Sequence, residues 1–162
     1  MPSVSRTAVA FCSAVALAGC NASLVQPSRG SATPVDVAEG AKSETLLYLS
    51  DVATNNVYIY SYPQGTLAGK ITSMGKPRSE CADTAGDVWI ADVQAFQVVE
   101  YAHGERHPIA ALSTFGAPRA CSVDPKSGDL AVSGGLNGTV LSVYHQGKHG
   151  VWRDPRRFSD AS

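Results

Sequence analysis

The feature that most constrains this chain is a phrase it states twice. "SECADTAGDVWIAD" begins at Ser79, and "ACSVDPKSGDLAVSG" follows from Ala120. "YLSD" at 48–51 matches "WIAD" at 89–92, and "GKPR" at 75–78 matches "GAPR" at 116–119, both at an offset of 41. Asp83 matches Asp124 at the same offset, and Gly86-Asp87 and Gly128-Asp129 follow in turn. A further series, Tyr-x-x-Gly, starts at Tyr62, Tyr101 and Tyr144. The series interleave in constant order, so the chain from Thr45 onward is built from a unit of some forty residues.

Between these markers lie nine short runs rich in β-branched and aromatic residues, from Leu46–Ser50 to Thr139–Tyr144. None is long enough, or periodic enough at 3.6 residues, for a helix. In "VYIYSY" the alternation is plain: Val57, Ile59 and Ser61 share one face, and Tyr58, Tyr60 and Tyr62 the other. The fold class is therefore all-β, with turns at the Asp-x-x-Gly-Asp and Tyr-x-x-Gly markers. Four antiparallel strands in about forty residues make a sheet that cannot bury both faces alone. Such a unit must stack on its own copies. The expected architecture is a partial β-propeller of two to three four-stranded antiparallel blades. One blade lacks its inner strand (46–73), one is complete (79–112), and one lacks its outer strand (121–144). The expected limits of the repeat region are 45–150, and 151–162 reads as a solvated C-terminal tail. Because the repeat's texture stops mid-blade, a piece of a longer propeller is one expectation, and closure of a ring by self-association is another.

The first residues have a separate character. In "MPSVSRTAVAFCSAVALAGC" Arg6 is the sole charge, followed by an apolar run ending at Leu17-Ala18-Gly19-Cys20. The run is shorter than the roughly 20 residues a membrane-spanning helix needs, and has the proportions of a secretory signal. Its end resembles the lipobox of bacterial lipoproteins. That resemblance implies a signal peptide at 1–19, a mature chain starting at a lipidated Cys20, and attachment to a membrane through lipid. Asn21 after that cysteine resembles lipoproteins sent to the outer membrane, so the domain is expected in the cell envelope. Residues 20–44 are rich in Ser, Ala, Pro and Gly and read as a flexible tether.

The phrase "GxP…D..GDVWIAD…V.EY..G" resembles six-bladed propellers of the NHL and SMP-30/gluconolactonase type. The resemblance implies a fold, with two alternatives for activity: a non-catalytic binding or scaffold module, or a truncated member of a hydrolase family. SMP-30-like lactonases gather acidic and amide side chains from several inner strands onto one metal. Glu80 is the lone acidic residue on an inner strand here, so that metal site is not carried over. No catalytic residues, metal ligands or cofactor are assigned.

Net charge is −1, which gives no field suited to nucleic acid; a protein or glycan ligand fits better. Arg78 and Arg119 recur just before the inner strands, near the expected axial mouth. With Glu80 they either face an anionic ligand or form ion pairs, Glu80 and nearby aspartates being the partners. Cys81 and Cys121 lie one register apart on inner strands of neighbouring blades. They are either bridged, which needs Cα atoms within about 7 Å, or remain two buried thiols. Asp51, Asp92, Asp83 and Asp124 recur at turns and read as acceptors for backbone N–H groups. His103, His107, His145 and His149 sit on turns, where the His-x-x-x-His spacing has no ligating meaning, and read as solvated.

Overall fold

A computed structural model describes residues 44–72, 74–136, 139–147 and 150–159. The signal, tether and Cys20 assignments lie outside the described residues. Those residues contain no α-helix and form eleven strands in three antiparallel sheets.

The first sheet has three strands, β1 (Thr45–Asp51), β2 (Asn56–Tyr62) and β3 (Leu67–Ile71), in the order β1-β2-β3. The second comprises β4 (Pro77–Ala82), β5 (Val88–Asp92), β6 (Gln97–Tyr101) and β7 (Pro108–Ser113), in sequence order. The third is formed by β8 (Pro118–Val123), β9 (Leu130–Gly134), β10 (Val140–Tyr144) and β11 (Arg156–Ser159), also as a meander. This is the repeat made physical. β1 pairs with β2 as β5 pairs with β6, with Leu49 opposite Tyr58 and Ile90 opposite Val99.

The sheets stack face to face, and β5 shows why. All five of its residues are buried. Val88 and Ile90 pack with Val57, Ile59 and Ile71 of the first blade. Trp89 and Ala91 point the other way, into a second core with Leu130, Val132 and Tyr144 of the third. Alternation thus serves two cores from one strand, which a sandwich of only two sheets would not require. Tyrosines latch the stack. Tyr48 Oη accepts the Gly104 N–H at 2.9 Å, and Tyr144 Oη donates to the Ser113 carbonyl at 2.7 Å.

Two boundaries differ from the sequence reading. Arg78 and Arg119 lie within β4 and β8, not ahead of them, because pairing starts at Pro77 and Pro118. More consequentially, the 151–162 segment is not merely a solvated tail. Its residues 156–159 are β11, paired with β10 through Leu141–Phe158 and Val143–Arg156. This strand supplies the outer position that the repeat pattern leaves empty in the third blade. All four β11 residues are exposed, so it carries no apolar alternation to betray it.

Candidate functional site

The repeated aspartates first do local work. Asp92 is buried, and its carboxylate accepts N–H groups from Gly75 (2.7 Å), Lys76 (2.9 Å), Gln94 (3.1 Å) and Ala95 (3.2 Å). It therefore joins the β5–β6 turn to the chain entering β4. Asp51 accepts from Ala53 N–H and Thr54 Oγ1–H, bonds that hold its carboxyl below the usual carboxylate range, the Thr54 hydroxyl foremost. Asp124 is lowered in the same way, chiefly by the Lys126 N–H. In the third blade Gly134 replaces Asp92 at the strand end. A Cβ there would stand 2.4 Å from the Ala117 carbonyl oxygen, so backbone fills the space the carboxylate occupies in the second blade.

Asp83 also caps a turn, with Oδ1 accepting from Ala85 (2.8 Å) and Asp87 (2.9 Å). Yet here the turn does more than close a hairpin. Asp87 Oδ1 accepts the His103 N–H at 2.9 Å, and Glu100 of β6 reaches the same place. One carboxylate oxygen from each of Asp83, Asp87 and Glu100 lies within 4.8 Å of the others. Glu100 is 8 % exposed, and among the described residues its carboxylate has no ion pair. Burial pushes its carboxyl up to about 7, and the charges of Asp87 and Asp83 add to the shift.

The sequence reading missed this group, though a signal existed. Glu100 faces Trp89 across the β5–β6 pair, and the matching positions in the other blades are Ile59, opposite Tyr48, and Val143, opposite Ala131. A structural position occupied by isoleucine and valine elsewhere carries a carboxylic acid in one blade alone. The aspartates belong to the repeat; Glu100 does not.

The other candidates separate. Cys81 and Cys121 are joined as a disulfide, with Cα atoms 5.7 Å apart. Cys81 pairs with Trp89 and Cys121 with Val132, so both side chains leave toward the core between the second and third blades. Arg78 and Arg119 are exposed, and neither forms an ion pair with Glu80 among the described residues, contrary to one of the two expectations. Glu80 pairs with Ile90, which turns it toward the first blade. Among the described residues, its Oε1 and the Ser50 Oγ are buried without hydrogen-bond partners.

The histidines are not uniformly solvated. The ring nitrogens of His103 lie 3.2 Å from the Gly86 carbonyl and 2.9 Å from that of Glu44, which binds the β4–β5 turn to the start of β1. Gly86 has φ +88°, and a Cβ on it would meet His103 Nδ1 at 2.7 Å, so this turn requires glycine twice over. His145 Nδ1 lies 2.8 Å from Asp129 Oδ1. His107 is exposed, and His149 lies outside the described residues.

No protein-family model matches the sequence, and no curated protein matches it. Solved structures do match in shape. Hydrazine synthase of Kuenenia stuttgartiensis superposes with a TM-score of 0.61 at 14 % identity, over 71 % of this chain and 33 % of that one. The Cps50 (Swd1) β-propeller domain of Myceliophteria thermophila gives 0.53 at 14 % identity, over 70 % and 35 %. Dihydro-heme d1 dehydrogenase NirN, in complex with DHE, gives 0.56 at 15 % identity, over 72 % and 26 %. The chain thus spans about a third or less of each of these proteins. Identity this low speaks to the fold alone, and the fold is that of a partial propeller.

Proposed function

We propose that this chain is a lipid-anchored, exported propeller module that binds without catalysing, and that it binds through its uncovered blade faces. One observation carries the reading. Leu47 and Leu49 are 55 % and 53 % exposed, whereas their counterparts in the second blade, Val88 and Ile90, are 2 % and 0 % exposed. The first blade presents to solvent the face that the second blade buries. Tyr58 and Tyr60 extend that face on β2, opposite Leu49 and Leu47. At the other end of the stack, Leu141, Val143 and Phe158 occupy the face on which a further blade would rest.

The occupant proposed is a second copy of the chain. The two open faces are the two sides of one repeat, and each has its partner inside the molecule already, in the interfaces around β5. Two copies related by a twofold axis would set each first blade on the other's third blade and bring six blades into one ring. The anchor rests on the Leu17-Ala18-Gly19-Cys20 motif, and no membrane span competes with it among the described residues, where no helix is long and apolar enough to cross.

Light scattering on the detergent-solubilised full chain tests the association. A protein dimer that the Leu47→Glu, Leu49→Glu double variant converts to monomer supports the reading. A wild-type monomer, or an oligomer indifferent to that change, counts against it. Labelled palmitate incorporation that Cys20→Ser abolishes would support the anchor, and its persistence in that variant would remove it.

A further inference from the structure

We propose that Asp83, Asp87 and Glu100 form a binding site for a hard divalent cation of the size of calcium, placed at the turn end of the second blade. This site is independent of how the blade faces are used. Two of the three carboxylates are accounted for by the turn, since Asp83 Oδ1 caps it and Asp87 Oδ1 takes the His103 N–H. Each of these groups retains an oxygen for which the turn has no use. Glu100 is different: it is nine-tenths buried, takes no part in any turn, and brings its carboxylate to the two aspartates with no ion-pair partner among the described residues. Burying an ionised carboxylate against two others is costly unless a positive charge compensates it.

Geometry and chemistry agree on the class of ion. Oxygens bound to one calcium at about 2.4 Å can lie no more than about 4.8 Å apart, the diameter of the coordination sphere. The three oxygens fall within that distance of one another. Carboxylates are the donors that calcium prefers, whereas zinc and copper favour imidazole and thiolate. In this exported chain the two cysteines of the repeat are joined to each other and so are withheld from metal. Backbone carbonyls of the turn and water would complete the six to eight oxygens that calcium takes.

The repeat supplies a control within the protein. The third blade keeps the two aspartates as Asp124 and Asp129 but carries Val143 in place of Glu100, and there His145 sits on Asp129. Glu100→Val therefore installs a side chain this fold already accepts, and Glu100→Gln keeps shape while removing charge. The experiment is calcium titration of the full chain in detergent, followed by calorimetry and by terbium emission sensitised through Trp89, which lies directly opposite Glu100. The expected result is one site, half-saturated at about 10⁻⁴–10⁻³ M calcium, as in extracellular modules. Both variants should bind at least tenfold more weakly while retaining the wild-type β-sheet circular dichroism. Terbium emission and calcium heats that are unchanged in folded Glu100→Val would overturn the site. So would a wild type that shows neither signal at 10 mM calcium and pH 8.

Discussion

Cys81 and Cys121 are bonded across the stack, tying inner strand β4 to inner strand β8 with Cα atoms 5.7 Å apart. The bridge closes a loop with a sequence separation of 40 residues. Constraining a loop of that length in the unfolded chain is worth about 4 kcal/mol on the chain-entropy account. The Cys81→Ser, Cys121→Ser protein should therefore unfold at clearly lower urea concentration than wild type, with reduced wild type moving toward it. Equal midpoints for oxidised and reduced wild type would show that the bridge adds nothing.

Asp92 is expected to be the most sensitive polar residue of the fold. Asp92→Ala strips acceptors from four N–H groups at once, at a cost on the order of 4 kcal/mol. Asp92→Asn keeps one acceptor oxygen and should recover part of the loss. Denaturation midpoints rank the three proteins, and the order wild type, Asn, Ala is the expected one.

Trp152 stands edge-on to Trp89, with ring centroids 5.1 Å apart and planes at 90°. It anchors the segment that leads into β11, through the Gln146–Trp152 bridge. Trp152→Ala should cost about 2 kcal/mol, since the ring is only half-buried. The near-ultraviolet dichroism of the pair should collapse as well. Hydrogen exchange at residues 156–159 should accelerate more than exchange in β5.

Glu100 sets a pH dependence whose sign follows from its raised pKa. Its carboxyl binds a proton up to about pH 7 in the folded chain, whereas its ordinary value is 4.5. Between those values the folded state holds the extra proton, so stability falls as pH rises from about 4.5 to 7 and then levels off. The loss amounts to no more than about 3 kcal/mol. Glu100→Gln should remove this slope, which unfolding midpoints at pH 5, 6, 7 and 8 without calcium will measure. A wild-type slope that persists in the variant would assign it to other groups.

Much of the fold is legible in the residues because the physics behind it is local. Val57-Tyr58-Ile59-Tyr60 alternates, which sets a strand and its two faces. The 41-residue spacing of Asp83 and Asp124 sets the hairpins and the need to stack. The final strand was hidden for an equally physical reason. Arg156–Ser159 pairs through its backbone on the edge of the third blade, and an exposed edge strand has no buried face to pattern its side chains.

What the sequence alone determined is the all-β blade repeat and the identity of the turn aspartates, because hydrophobic alternation and turn chemistry act between near neighbours. Tertiary structure decided which distant residues meet. It brought Cys81 to Cys121, turned Glu80 toward the first blade, and carried Glu100 beneath the Asp83–Asp87 turn. Those outcomes depend on strand register and on how closely the blades approach, and such distances arise only once the sheets are stacked.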